Sequence, residues 1–300
     1  MIDKKTVYKI TSQIPRGKVA TYGIIAKLSG TASPRAVGGL LHKNPDPKKI
    51  PCHRVVNSKG EVAENFAFGG KRGQIERLRR EGVEINGGGL DLTKHLWHPN
   101  QLFLMYTGLL KKYGEPGPWP WWGQGKPHHR EEIAFGAILT QNTSWRNVEK
   151  ALENLKKEKV CTIRGIYKMG EADCHKLKTL IRPAGFYNQK ADYLYGFCKY
   201  VVENAKSLEN FFKSPVDVAR ERLLNLRGIG KETADTILLY VGDKPVFVID
   251  AYTKRFVEKH KLKTNLNYDD LQNFFTKNLP QEVDFYQDFH ALIVRWAKDK

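Results

Sequence analysis

Leu226-Arg227-Gly228-Ile229-Gly230-Lys231-Glu232-Thr233-Ala234 joins two apolar runs of helical periodicity, 216–225 and 231–241. A Gly-x-Gly triplet alone is usually only a turn. Here it separates two helices, and the short apolar segment Pro245-Val246-Phe247-Val248-Ile249 then delivers an isolated acid, Asp250. The pattern predicts helix, tight turn, helix, with glycines at 228 and 230 letting backbone N–H groups approach a phosphate at the positive end of the second helix. Further amphipathic runs at 131–157 and 187–206 make this half helical almost throughout. Gly and Pro punctuate it at Arg182-Pro183-Ala184-Gly185, Ser214-Pro215 and Asp243-Lys244-Pro245.

Working toward the N-terminus, Asn86-Gly87-Gly88-Gly89 reads as the start of a linker, because consecutive glycines favour neither helix nor strand. The expected organisation is a first domain over 1–86, a linker over 87–99 and a second domain over 100–300. The first domain is mostly helical. Tyr22, Ile25 and Leu28 share one helical face, Ser29-Gly30-Thr31-Ala32 interrupts it, and Ser33-Pro34 reads as an N-cap with proline at the first helical position. Helix, break, helix in a basic context is the pattern of a helix-turn-helix.

The chain carries 50 Lys and Arg against 32 Asp and Glu, a net charge of +18. Residues 1–97 hold 18 basic and 8 acidic residues, so both halves are basic and both can face one polyanion. No apolar stretch is long enough for a membrane span, and the N-terminus lacks a signal-peptide core. The four cysteines form no Cys-x-x-Cys, and the nine histidines form no metal set. A reduced, intracellular, DNA-associated monomer without metal or cofactor is the expectation.

Pro51-Cys52-His53-Arg54-Val55 gives the first domain its chemistry. Together with Gly17-Lys18-Val19-Ala20-Thr21-Tyr22, Arg35-Ala36-Val37-Gly38-Gly39, Asn44-Pro45 and Glu81-Gly82, it makes 14–85 resemble the C-terminal, DNA-binding and active-site domain of O6-alkylguanine-DNA alkyltransferases. The resemblance implies a flipped guanine whose alkyl group passes to Cys52, with His53 taking the thiol proton and Glu81 holding the imidazole. It also implies that Tyr22 protonates the departing guanine, Arg35 fills the stack and Asn44 braces the turn before the cysteine. Val62 to Phe68 would form the pocket lid. The thioether product has no easy leaving group, so each protein would act once. The lid is longer than usual for the family, with Phe where Tyr is common, and the family's N-terminal domain is not matched. A related class that only binds alkylated DNA has its cysteine replaced; Cys52 argues against membership.

The hairpin, Asp250 and Phe135-Gly136-Ala137-Ile138-Leu139-Thr140-Gln141-Asn142-Thr143 make 100–300 resemble the helix-hairpin-helix DNA glycosylases related to endonuclease III. That implies contacts to DNA from Gly228, Gly230 and Lys231, a Gln141 that fills the gap left by the flipped nucleotide, and an Asp250 that stabilises the cationic sugar as the base leaves. Bifunctional members use a lysine where this chain has Glu232, so a monofunctional enzyme is expected. The four-cysteine iron–sulfur run is not matched either. Gly117-Pro118-Trp119-Pro120-Trp121-Trp122, Trp145 and Arg182–Lys190 resemble the 3-methyladenine DNA glycosylase III branch, with Trp121, Trp122 and Trp145 as base-pocket walls. The expected fold is mainly α, with a small helix-turn-helix domain ahead of an all-α one. The expected partner is double-stranded DNA carrying alkylated bases. Two alternatives stay open: a glycosylase for oxidised or deaminated bases, and a non-enzymatic damage-binding module.

Overall fold

A computed structural model describes residues 4–31, 33–87, 89–116, 129–265 and 267–299, and it is mainly helical. The chain divides into two compact units, Met1–Gly114 and Glu115–Lys300.

In the first unit the expected helix-turn-helix forms. Thr21 caps the Tyr22–Leu28 helix by accepting from the Ile24 amide at 3.2 Å, and Ser33 caps Pro34–His42 by accepting from Ala36 at 3.2 Å. Each cap satisfies one of the donors a helix start leaves open. Ala20–Thr21 pairs in parallel with Val55–Val56, which fixes the turn of 3-10 helix at Cys52–Arg54 against the entry strand. Gln74, fully buried on the Gly70–Arg80 helix, donates to the carbonyls of His53 and Val55, both at 3.0 Å, and accepts from the Ala63 amide at 2.8 Å. One side chain thereby ties the cysteine turn and the lid to a helix.

Gly87 and Gly89 do not act as a spacer. Ile85–Asn86 pairs antiparallel with Gly89–Leu90 through a turn in which Gly87 sits at φ +61°, a value that favours glycine. The hairpin buries Ile85 and Leu90 in a cluster with Val19, Val56, Val62, Leu78 and Val83. Residues 95–97 then strap Val19, whose amide donates to His95 at 2.9 Å and whose carbonyl accepts from Trp97 at 2.7 Å. Trp97 packs edge-on against Phe103 of the Gln101–Tyr113 helix. The hydrophobic demand of Ile85, Leu90 and Trp97 overrides the local preference of the glycines, so residues 87–113, expected as linker and second domain, pack with the first unit.

The second unit is all helical among its described residues. The helices Val216–Leu224 and Lys231–Tyr240 form the hairpin. Asp235, fully buried, binds the two together: Arg220 donates to it at 2.7 and 3.0 Å, and Tyr268 and Gln272 donate at 2.7 Å each. Gln272 also donates to the Phe247 carbonyl at 2.9 Å, so the same network steadies the segment leading to Asp250. Phe247, stacked on Phe275 with centroids 4.2 Å apart, and Phe289 anchor the core behind it.

Candidate functional site

Cys52 is buried, with 4% of its surface exposed. Asn44 donates from Nδ2 to its Sγ at 3.1 Å and to the Ile50 carbonyl at 2.8 Å, so the expected brace of the turn is also a direct thiol contact. His53 Nε2 lies 2.9 Å from Glu81 Oε1. Arg54 grips the same carboxylate at 2.8 and 2.7 Å and reaches the Ile14 carbonyl. Burial pulls the Glu81 carboxyl upward, but the hydrogen bonds from Arg54 and His53 outweigh it and hold it below the ordinary glutamate range. A carboxylate partner places the imidazole proton on Nε2, leaving Nδ1 as the acceptor. Nδ1 is buried and, among the described residues, has no hydrogen-bond partner.

Burial raises the Cys52 thiol above its ordinary value, opposed by Asn44, and burial lowers His53 despite Glu81. The resting pair is therefore a neutral thiol and a neutral imidazole with a free lone pair. Tyr22 is half-buried; burial and then the Cys52 charge raise its hydroxyl, so it stays a proton donor at neutral pH. Arg35 is exposed in the first turn of Pro34–His42. In the lid, Phe66 and Phe68 meet edge-on and Arg77 lies over the Phe68 ring. A Cβ at Gly73 would come within 2.5 Å of the Phe68 carbonyl, so the lid seats on the Gly70–Arg80 helix only because that residue is glycine.

In the second unit Asp250 caps the Ala251–Lys259 helix: Oδ1 accepts from the Thr253 amide at 2.7 Å, and Oδ2 lies 3.2 Å from His290 Nε2. Burial pushes its carboxyl up, yet its contact with His290 and the Thr253 hydrogen bonds hold it below the ordinary aspartate range. Asp250 lines a cavity of about 620 Å³ with Glu232, Trp145, Tyr252, His290 and Lys298. Withdrawal from water and the Asp250 charge raise Glu232, so two carboxyls bordering one cavity are driven in opposite directions.

Gln141 is folded onto the hairpin, donating to the Gly228 carbonyl at 2.8 Å and Thr233 Oγ1 at 3.3 Å. It borders a second cavity of about 440 Å³ together with Gly228, Gly230 and Lys231. No side chain caps the Lys231–Tyr240 helix; Gly230 stands at its N-cap. Lys231 is exposed and pairs with Asp269 at 2.5 Å. Trp145 opens the Trp145–Lys157 helix at the first cavity, whereas Trp121 and Trp122 lie outside the described residues.

Sequence reasoning missed four residues. His290 stands 40 positions from Asp250, Arg54 sits in the cysteine motif with no role assigned, and Gln74 carries no local signature. Phe186 is 64% exposed with φ +46°, directly ahead of the Tyr187–Tyr200 helix. Its turn is clamped by Lys190, which is 2% exposed, donates to the carbonyls of Leu139 and Ala184 at 2.9 and 2.8 Å, and is pushed by burial down to about 8. An exposed aromatic on a rigid turn is a surface ready to stack on a base.

Comparison with known proteins joins these sites to families. Residues 3–83 match the 6-O-methylguanine DNA methyltransferase DNA-binding domain, and residues 135–281 match the HhH-GPD superfamily of base excision DNA repair proteins. A Methanocaldococcus jannaschii protein named as a candidate DNA repair glycosylase is 44% identical over 200 residues, 66% of this chain and 87% of that protein. The chain belongs to the helix-hairpin-helix base excision DNA repair family. To this it adds an N-terminal domain of the alkyltransferase type, which is 39% identical over 100 residues to alkyltransferase-like protein 1 of Schizosaccharomyces pombe, covering 31% of this chain and 92% of that one. Among solved structures, the H. pylori 3-methyladenine DNA glycosylase bound to 1,N6-ethenoadenine is 33% identical with a TM-score of 0.54, covering 64% of this chain and 92% of that one. The chain is thus a DNA-binding repair protein built from an alkyltransferase-like and a helix-hairpin-helix domain. No described helix is long and apolar enough to cross a membrane.

Proposed function

We propose that this member of the family repairs alkylated double-stranded DNA with two separate chemistries, acting as an intracellular monomer. The observation that carries the reading is the buried thiol of Cys52, held by Asn44 and followed by an imidazole whose Nε2 is committed to Glu81 and whose Nδ1 is left as the base. Nδ1 takes the thiol proton through water, and the thiolate attacks the alkyl carbon of a flipped O6-alkylguanine. The carbon–O6 bond breaks, the guanine takes the Tyr22 hydroxyl proton, and the imidazolium proton returns to the tyrosinate. The S–C bond formed is permanent. Arg35, exposed in the first turn of Pro34–His42, would fill the vacated stack.

In the second unit, the ionised Asp250 stabilises the cationic sugar while an alkylated purine such as 3-methyladenine departs, and water completes the exchange. Glu232 offers no amine for a Schiff base, so the product is an abasic site without strand cleavage. Gln141 fills the gap in the duplex, Gly228, Gly230 and Lys231 hold the backbone, and Trp145 walls the base, with Trp121 and Trp122 as further walls.

Mass spectrometry after incubation with O6-methylguanine duplex tests the first chemistry: one added methyl on Cys52, and none in Cys52→Ser. Tight binding of the same duplex without methyl transfer would replace this reading with non-enzymatic damage recognition. That alternative is supported by the similarity to an alkyltransferase-like protein. For the second unit, Asp250→Asn should stop release of free 3-methyladenine from methylated DNA. A panel of single-lesion duplexes separates alkylated from oxidised or deaminated substrates.

A further inference from the structure

The partner of Asp250 is itself held from behind. His290 is 3% exposed on the Val283–Lys298 helix, with Nε2 3.2 Å from Asp250 Oδ2 and Nδ1 2.7 Å from the Tyr240 hydroxyl. Tyr240 closes the second helix of the hairpin, so the line Tyr240–His290–Asp250 runs across three helices. The Tyr240 oxygen also lies 3.4 Å from the Gln287 carbonyl. A hydroxyl has one proton to give, and the shorter contact is the stronger claim on it. Donation to Nδ1 leaves the imidazole neutral, with its proton on Nε2 pointing at Asp250.

We infer that Tyr240 and His290 form a positioning pair that keeps Asp250 oriented by a neutral donor, so that its negative charge stays available to the sugar cation. The inference rests on the proposed role of Asp250. A doubly protonated ring at the same place would hold the carboxylate equally still but cancel much of its field at the reaction centre. Other ionisable groups bearing on this site are Glu232 from the hairpin helix, Tyr252 and Lys254 from the Ala251–Lys259 helix and Lys298 from the helix of His290 itself. Glu232, Tyr252 and the two lysines are present in every variant below, so a difference between variants reports on the ring.

The test is single-turnover release of 3-methyladenine by the full chain across pH, with DNA affinity measured alongside. Tyr240→Phe removes one hydroxyl and lets Nδ1 take a proton. Expected is about a tenfold slower release at pH 6, shrinking to about twofold at pH 9, with DNA affinity unchanged. His290→Gln, which presents a non-titrating amide donor, should remove this extra pH dependence even if its rate is lower. Nitrogen-15 spectra of the histidine rings give a readout that needs no variant: Nε2 protonated and Nδ1 unprotonated at pH 7. A wild-type pH profile in Tyr240→Phe, or a ring found charged or protonated at Nδ1, overturns the inference. Absence of release by the wild-type protein would instead overturn the glycosylase reading beneath it.

Discussion

The two hairpin glycines look interchangeable in sequence, yet replacing each by alanine should give opposite outcomes. Gly228 has φ +79°, and a Cβ there would fall 2.2 Å from Cγ of Tyr193, in the root of the ring rather than at its flexible end. Gly230 has φ −85°, and nothing lies within 4 Å of its would-be Cβ. For Gly228→Ala the backbone contributes about 1–2 kcal/mol of strain and displacement of the tyrosine about 1–3 kcal/mol. At about 2–4 °C per kcal/mol for a unit of this size, a central loss of ~3 kcal/mol lowers the melting temperature by roughly 6–12 °C. Gly230→Ala should stay within about 1 kcal/mol of wild type but weaken duplex binding, since its methyl occupies the approach to the helix N-terminus. Scanning calorimetry, with fluorescence anisotropy on a labelled duplex, separates the two. Equal melting temperatures for the two variants, or unaltered DNA affinity in Gly230→Ala, would refute the assignment of turn geometry to one glycine and phosphate access to the other.

Asp235→Ala should cost about 3–5 kcal/mol in urea unfolding, because it strips a buried carboxylate from Arg220, Tyr268 and Gln272 at once. Glu81 is held below its ordinary pKa, so its stabilising contribution is present above about pH 4.5 and is lost as pH falls through the lower native value. Acid titration of the first unit should therefore show less loss of stability in Glu81→Gln than in wild type over that window. Phe186→Ala should leave melting unchanged and weaken damaged-duplex binding by about 1–3 kcal/mol, read by the same anisotropy assay.

Local rules carried the helix-turn-helix and the hairpin well. Ser33-Pro34 is a cap whose chemistry is complete within four residues, and the structure adds Thr21 as a second. The Cys52 turn was legible because its motif is contiguous, and Asn44 because it is eight residues away. What lay beyond reach is what depends on distant chain: His290 meeting Asp250, Arg54 sharing Glu81, and Lys231 turning to Asp269. Gln141, expected in the duplex, rests on the Gly228 carbonyl here, a contact it must give up to enter a gap in the DNA.

The strap over Val19 has a consequence for dissecting the chain. The alkyltransferase match ends at residue 83 and the glycosylase match begins at 135, but the first unit closes only at Gly114. Residues 84–100 therefore fall outside both family-model segments, yet they complete the packing of the upstream one. A domain junction absorbed in this way cannot be cut at its glycines: ending the chain at residue 86 would uncover Val19 and remove Leu90 and Trp97 from their contacts.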